Sequence, residues 1–413
     1  MALLKPFHEL TKQQRHTYFA SLGGWSLDAF DFFIFVLCLS AIADDFHTKI
    51  HDVAFGISLT LAMRPLGALF FGWLAEKYGR RPILMLNVVS YSLFELGSAF
   101  APDLTTLLVL RALFGFAMGG EWGVGAALAL ETLPAKNRGF FSGLLQEGYV
   151  IGFLLASVAS RLFFEHVGWR GMFIIGAVPA LLVFYIRRNV PESPAWLAGQ
   201  HAKRASAGEL WAALKQHLPL LGYMILLMAC FNAFSHGSQD LYKPFLKVQH
   251  GFSPQVSDNL VIIMNIGALL GGICFGAFSE KIGRKRAIAL AALLALPMIP
   301  LWAFSATPAL LALGGFTMQF MVQGAWGIVP AHINELSPAS VRAILPGFAY
   351  QLGNFIMSLL SPFQASYAEQ HGNDYATMLA WTIGIVGVVL ATVTLVGPEA
   401  KSVHMGAKPS GTS

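Results

Sequence analysis

Twelve stretches of this 413-residue chain are apolar enough and long enough to cross a lipid bilayer. A helix needs about 20 predominantly apolar residues to span roughly 30 Å of hydrocarbon. Because lipid offers no hydrogen-bonding partners, such stretches fold as helices. The sequence therefore predicts an all-α membrane protein with twelve transmembrane helices. In chain order, the predicted spans 1 to 12 cover residues 18–43, 55–74, 82–100, 105–129, 140–164, 169–187, 219–243, 259–278, 286–304, 308–331, 344–367 and 376–396.

The basic residues gather at alternate ends of these spans, which predicts how the chain lies in the membrane. Only 12% of the residues are charged, against about 25% in soluble domains. The positive-inside rule places both termini in the cytoplasm of a multi-pass protein of the cell membrane, the inner membrane in a bacterium. The net charge of +5 is explained by this distribution, so no nucleic-acid partner is predicted.

No metal site, cofactor or catalytic motif is predicted. The three cysteines, Cys38, Cys230 and Cys274, all fall within spans and are read as small apolar packing residues. The sequence contains no nucleophile elbow, phosphate loop or zinc-ligand spacing. The protein is therefore not expected to be an enzyme.

The second half of the chain repeats the first at a fixed offset of 204 residues. Six spans in each half give parallel copies related by an axis along the membrane normal. Residues 1–187 and 219–413 are predicted to form two six-helix bundles, joined by a cytoplasmic linker at 188–218 and ending in a short cytoplasmic tail. Bundles that rock against each other around a central site give alternating access, so the repeat predicts a monomeric transporter. The matched pairs include Gly72 and Gly276, Glu76 and Glu280, Arg80 and Arg284, Trp122 and Trp326, Glu131 and Glu335, Arg138 and Arg342, and Gly143 and Gly347.

Two copies of one loop motif, "GWLAEKYGRR" and "GAFSEKIGRK", resemble the cytoplasmic loop signature of the major facilitator superfamily. "RALFGFAMGGEWG", "PESP" and "GPEAK" resemble further markers of that family. The resemblance implies a twelve-helix fold of two pseudo-symmetric bundles. Glu76 and Glu280 stand where the family usually has Asp, and they are expected to form charge pairs with Arg80 and Arg284 that latch the cytoplasmic ends of the helices.

Asp28 and Asp31 lie within span 1, where ionisable residues are rare and by default functional. Their spacing puts them on one helix face, and the repeat places them on Asn232 and Ser235 of span 7. Both faces are predicted to line a central cavity. Either the aspartates take part in transport directly, or one of them neutralises Arg111 of span 4.

The stretch "FNAFSHGSQDLYKP" gives span 7 two neighbouring polar stripes. Asn232, His236 and Asp240 are spaced by four residues, and Ser235 and Gln239 lie beside them. Imidazole titrates near physiological pH, and a carboxyl group in a low-dielectric cavity holds a proton more readily than in water. His236 and Asp240 are therefore predicted to couple transport to protons.

"NAFSHGSQD" resembles the span 7 signature of the lactate/pyruvate branch of the sialate/lactate:proton symporters. The resemblance implies proton symport of a small monocarboxylate such as lactate or pyruvate, with Asn232, Ser235 and Gln239 shaping specificity. Pro244 replaces an expected Thr and Lys243 is inserted, which leaves sialic acid or another larger or aromatic acid open. Lys243 is expected to pair with Asp240 or to attract anions at the outer mouth.

Arg64 in span 2 has no charged repeat mate, because the offset lands on Ala268. A guanidinium in a cavity suits bidentate binding of a carboxylate. Gln351 and Asn354 in span 11 share a face and are expected to bind a hydroxyl or keto oxygen of the acid, or to bond between helices.

Four further ionisable residues lie within spans. Arg111 and Glu121 flank the glycine-rich half of span 4 and are assigned to gating or proton relay. Glu95 and Glu147 are expected to pair inside the protein.

Overall fold

The computed structural model describes residues 5–199, 207–399 and 401, and these residues form helices and turns without a strand. The predicted all-α fold is confirmed. Residues 200–206 of the predicted linker, which include Lys203 and Arg204, lie outside the described residues. The same holds for residue 400 and for 402–413, where the predicted tail and Lys408 fall.

The first half contains all six predicted spans. Its first long helix begins at Thr11, where a capping box joins Thr11 and Gln14 in both directions. Gly168 interrupts the fifth long helical segment at φ 63°, a conformation that favours glycine, and the chain reverses there between spans 5 and 6. The helices are Lys5–His8, Lys12–Asp45, Ile50–Tyr78, Arg80–Ala99, Leu104–Thr132, Arg138–Gln146, Gly148–Gly176, Leu182–Asn189 and Pro194–Gly199, with 3₁₀ turns at Ala135–Asn137 and Val178–Leu181.

The second half is more broken, because its spans contain more helix-interrupting residues. Span 7 leaves the α-helical path after Gln239 and continues through Tyr242–Pro244 into a π-helical turn, Phe245–Gln249. Proline lacks the N–H that an α-helix needs, which accounts for the change at Pro244. The helices are Ala207–Gln216, Leu218–Gln239, Tyr242–Pro244, Pro254–Ile282, Arg284–Ala295, Ile299–Ala303, Pro308–Trp326, Val329–Leu336, Leu345–Met357, Leu360–Gln370 and Tyr375–Val396, with a 3₁₀ turn at Leu296–Met298.

Nine helical segments of the described chain are long and apolar enough to cross a membrane. The other predicted spans are present but not as separate long helices. The first turns of span 6 belong to the same helical segment, Gly148–Gly176, as span 5. Spans 10 and 11 each break into two shorter helices.

The two halves contact each other where span 5 crosses span 8 and where span 2 crosses span 11. These crossings are close because they are made by glycine: a Cβ on Gly143 would clash with the carbonyl oxygen of Gly272, and one on Gly72 would lie 2.8 Å from that of Ala343. Both crossings lie toward the end of the molecule that carries the loop glycines Gly79 and Gly283, here called the signature-loop end. At this end the halves are closed against each other.

Candidate functional site

His236 and Asp240 of span 7 form a pair that solvent can reach. Nδ1 of the imidazole lies 3.2 Å from Oδ2 of Asp240, and the two side chains are 38% and 32% exposed. The Ser361 hydroxyl donates to the same carboxylate oxygen at 2.6 Å. Asn354 lies within hydrogen-bonding reach of the imidazole. The helical spacing of four thus brings a titratable pair to an accessible surface at the end of helix Leu218–Gln239.

The other polar residues of span 7 face the protein. Asn232 donates to the carbonyl oxygen of Met228 at 2.8 Å, and Ser235 accepts from Gln323 of span 10 at 3.1 Å. Both are buried, while Gln239 is half-buried at the end of its helix. Of these residues, Ser235 bonds span 10 and Asn232 bonds its own helix, while His236 and Asp240 meet solvent.

Lys243 does not pair with Asp240. Its Nζ lies 2.5 Å from Oδ1 of Asp258, at the start of span 8. Pairing with Asp240 is wrong, because span 7 turns after Gln239 and carries Lys243 away from that carboxylate. Sequence spacing could not show this turn.

Arg64 lies buried in the first half without an ion pair to any carboxylate of the described residues. Its Nη2 lies 2.6 Å from the sulfur of Met118, and its Cζ lies 5.1 Å from the centre of the Phe32 ring. Nε has no hydrogen-bond partner. A guanidinium held by a thioether and a ring keeps its strong donors available for an anion.

An aromatic cluster, formed by Trp25, Trp122, Tyr149, Trp326 and Tyr350, joins the two halves beside Arg64. Trp122 stacks on Tyr350 at 4.6 Å between ring centres, and Trp25 stacks on Tyr149 at 5.6 Å. Trp326 packs edge-on against Tyr350 at 5.8 Å. One sequence signal for this cluster is the repeat pairing of Trp122 with Trp326, but that pairing indicates shared scaffold rather than a site.

The acidic residues of the first half fall into paired and unpaired groups. Arg111 bonds Glu95 at 2.5 Å and Ser98 at 2.8 Å, so its hydrogen-bonded partner is neither Asp28 nor Asp31. Asp28, Asp31 and Glu121 are fully buried, and none of their carboxylate oxygens has a hydrogen-bond partner in the described chain. An ionised carboxylate without partners is costly to bury, so these three groups are suited to binding protons.

Gln351 and Glu147 are also buried without full partners. Gln351 is 1% exposed and its Oε1 has no donor. Glu147 is equally buried, and neither of its oxygens has a partner among the described residues. The expectation of internal pairing thus holds for Glu95 and is wrong for Glu147.

A charge network closes the signature-loop end, and it is built twice by the repeat. Glu76 bonds Arg80 at 2.8 Å, and Glu280 bonds Arg284 at 3.1 Å. Each acid also reaches the opposite half, since Glu76 accepts from the backbone N–H of Ala343 at 2.7 Å and Glu280 accepts from that of Gly139.

The network has a second layer that crosses between the halves. Arg138 bonds Glu335 at 3.0 Å, and its repeat mate Arg342 lies 3.7 Å from Glu131. Glu131 and Glu335 also contact Arg80 and Arg284, at 3.4 and 2.9 Å. The predicted charge pairs are therefore parts of a larger set whose acids and bases come from both halves. Within the described residues, no cluster of three or more His, Cys, Asp and Glu is placed to hold a metal ion.

Known proteins resemble this chain over nearly its whole length. A model of the major facilitator superfamily matches residues 22–362 and 225–410. The carboxylic acid transporter protein homolog of Saccharomyces cerevisiae is 29% identical over 96% of this chain and 70% of its own. The sialic acid transporter NanX of Escherichia coli is 31% identical over 94% of this chain and 95% of its own.

A solved structure shares the fold. The proton:xylose symporter XylE, bound to 6-bromo-6-deoxy-D-glucose, superposes with a TM-score of 0.74 at 19% identity, over 94% of this chain and 97% of XylE. The nine apolar segments agree with a multi-pass protein. This chain therefore belongs to the major facilitator superfamily, as a membrane transporter and not an enzyme.

Proposed function

We propose that this protein takes up a small organic acid, a monocarboxylate of the lactate or pyruvate type, together with a proton. The observation that carries the proposal is the accessible His236–Asp240 pair, 3.2 Å apart, in the same chain as Arg64, a buried guanidinium that forms no ion pair with a carboxylate of the described residues. One site can exchange a proton with water, and the other can bind an anion. The relatives named for carboxylic acid and sialic acid support a carboxylate substrate.

Energetics explain why the two sites belong together. Moving one negative charge into a cell costs roughly 2.3 kcal/mol per 100 mV of inside-negative potential. A proton that enters with the anion removes this cost and adds the energy of the proton gradient. Asp240 and His236 bind the proton, Arg64 binds the carboxylate, and Asn232, Ser235, Gln239, Gln351 and Asn354 shape the space around the acid.

Alternating access supplies the route. With the signature-loop end closed, the His236–Asp240 pair is reached from the opposite end of the molecule. The basic residues Lys77, Arg81 and Lys281 lie at or beside the signature loops, which favours a cytoplasmic position for that end and for both termini. Substrate then enters from outside the cell membrane and leaves after the two bundles, 1–187 and 219–413, rock apart as one monomer. Asp28, Asp31 and Glu121 serve as further proton-binding groups, with Glu121 and Arg111 as relay and gating residues.

A second candidate is an aromatic or larger acid, including sialic acid. The aromatic cluster favours it, because Tyr149 and Tyr350 both lie near enough to Arg64 to feel its charge. A flat ring bound between these side chains gains stacking energy of about 0.5–1.5 kcal/mol per ring pair.

Uptake into proteoliposomes tests both candidates. Labelled L-lactate is added with and without an inward proton gradient, and unlabelled pyruvate, nicotinate and sialic acid compete. Accumulation driven by the gradient and blocked best by pyruvate supports the monocarboxylate. Competition by nicotinate or sialic acid alone supports the second candidate, and uptake of an acid unaffected by the gradient contradicts proton coupling.

A further inference from the structure

Glu147 is a span carboxylate that lies on the contact between the two halves, where span 5 crosses span 8. It sits at the junction of helices Arg138–Gln146 and Gly148–Gly176. Its Oε1 occupies the space that a Cβ on Gly272 would fill. The side chain is 1% exposed, and neither oxygen has a hydrogen-bond partner in the described part of the chain.

Glu147 continues a glycine stripe along span 5. Gly139, Gly143 and Glu147 are spaced by four, so they lie on one helix face. The two glycines bring the backbone of span 5 against Gly276 and Gly272, at contacts where an added Cβ would clash with a carbonyl oxygen. Glu147 therefore lies on the surface that must separate if the signature-loop end opens.

The repeat provides an internal comparison. The offset of 204 places Glu147 on Gln351, as it places Gly143 on Gly347. At the mate crossing of spans 11 and 2, Ala68 stands where Gly272 stands in the other copy, and a Cβ on Gly347 would lie 4.0 Å from the Cβ of Ala68. A neutral amide thus stands at one crossing between the halves, and an acid stands at the other. Packing alone does not require an ionisable group at this position.

Among the described residues, no opposite charge pairs with Glu147 across the crossing. Span 8 has no charged residue between Asp258 and Glu280, and its only titratable side chain there is the Cys274 thiol. Span 10, whose Gly327 also packs on Gly272, has only His332 between Pro308 and Asn334.

The charged groups on the remaining packed elements do not form an ion pair with Glu147 within the described residues. On span 5 itself, Arg138 binds Glu335, while Glu165 and His166 are exposed near the other end. Span 1 contacts Gly148 through Trp25 and Ser26. Its Asp28 and Asp31 lie in the acidic group of the first half.

We propose that Glu147 is a proton-binding site that controls closure of the signature-loop end. With the halves in contact, the carboxyl group is shut away from water and donors, so the closed form keeps the proton. When the halves separate, water reaches the group and it ionises. By linkage, the proton stabilises the closed form and its loss favours the open form. The site thus couples proton release at the signature-loop end to the conformational change. This proposal rests on the proposed function, because it takes the proton as the coupling ion.

The test measures conformation in the absence of any transported acid. Spin labels are placed at Lys136→Cys and Arg286→Cys, two exposed positions at the signature-loop end, one in each half, in a background with Cys38, Cys230 and Cys274 changed to Ser. Distances are measured in nanodiscs from about pH 5 to pH 9, the range over which a buried carboxyl group titrates. If one proton is lost on opening, the ratio of long to short distances rises by up to about tenfold per pH unit between the pKa of the carboxyl group in the open form and its pKa in the closed form.

Glu147→Gln is expected to lose this pH slope and to stay closed over the whole range. Glu165→Gln, an exposed acid on the same span, is the matched control and should follow the wild type. Glu147→Ala removes the charge without adding an amide, and its ratio of long to short distances should be as independent of pH as that of Glu147→Gln. This second variant covers the case in which the glutamine variant fails to fold. A slope in both Glu147 variants equal to the wild type overturns the proposal. A failure of acid uptake to respond to a proton gradient refutes the proposed symport but leaves this measurement unaffected.

Discussion

Arg138 of the first half and Glu335 of the second half form a buried ion pair, with Nη1 3.0 Å from Oε1 and both side chains at most 2% exposed. Glu335 also binds Arg284 of its own half at 2.9 Å. One carboxylate thus joins the internal network of the second half to the surface of the first. Because Glu335 binds one arginine from each half, it helps to hold the signature-loop end closed.

Glu335→Gln should weaken that closure and lower thermal stability. Removing one partner of a buried pair leaves the remaining charges unsatisfied, at a cost of roughly 3–5 kcal/mol. The purified protein should melt at a lower temperature, and the distance between spin labels at Lys136→Cys and Arg286→Cys should lengthen. Glu369→Gln changes an exposed acid of the same half and should melt like the wild type. Equal melting of the two variants would mean that the pair contributes little.

Gly143→Ala should obstruct the crossing of spans 5 and 8. Its Cβ would clash with the carbonyl oxygen of Gly272, and overpacking of this kind costs about 1–3 kcal/mol. We expect slower transport and greater labelling at the signature-loop end. Gly222→Ala is the control, because nothing lies within 4 Å of an added Cβ there. Normal transport by Gly143→Ala would show that the halves need not approach this closely.

The fold was largely predictable. Apolar composition indicates the spans, and identical residues at a fixed offset of 204 indicate the repeat. Span lengths follow from apolar runs, and the Glu76–Arg80 and Glu280–Arg284 contacts follow from the four-residue spacing of helix neighbours. The partner of Arg111 was not predictable in this way. Its choice of Glu95 over Asp31 depends on how spans 1, 3 and 4 rotate about their axes, which one sequence does not specify.

Some contacts among the candidate site residues were predictable from the sequence, and others were not. His236 and Asp240 meet because both lie on one helix. Ser235 faces span 10 instead of solvent, since Gln323 offers it a hydrogen bond, and that partner lies 88 residues away. Lys243 shows the same limit, because a turn after Gln239 redirects it to Asp258.

Asp240→Asn should separate proton coupling from binding. The amide keeps the size of the side chain and its contact with Ser361 but cannot gain or lose the proton. Accumulation driven by a proton gradient should fall at least about tenfold, the effect of roughly 1.4 kcal/mol, while exchange of labelled for unlabelled acid continues. Ser361→Ala removes only the 2.6 Å hydrogen bond and should keep gradient-driven accumulation. Full accumulation by Asp240→Asn would place the proton elsewhere, with Asp28, Asp31 and Glu121 the next groups to substitute.

Arg64→Lys tests whether the anion needs the guanidinium or only its positive charge. Lysine keeps the charge but loses the planar pair of donors that fits a carboxylate, so affinity for the acid should fall by about 1.5–3 kcal/mol, the value of a charged hydrogen bond. Binding is measured by the fluorescence of Trp25 and Trp122, which lie in the aromatic cluster. Arg161→Lys, at an exposed position of the same half, should bind like the wild type. Unchanged affinity in Arg64→Lys would show that this residue acts through charge alone, and unchanged affinity in Arg64→Gln as well would remove it from the site.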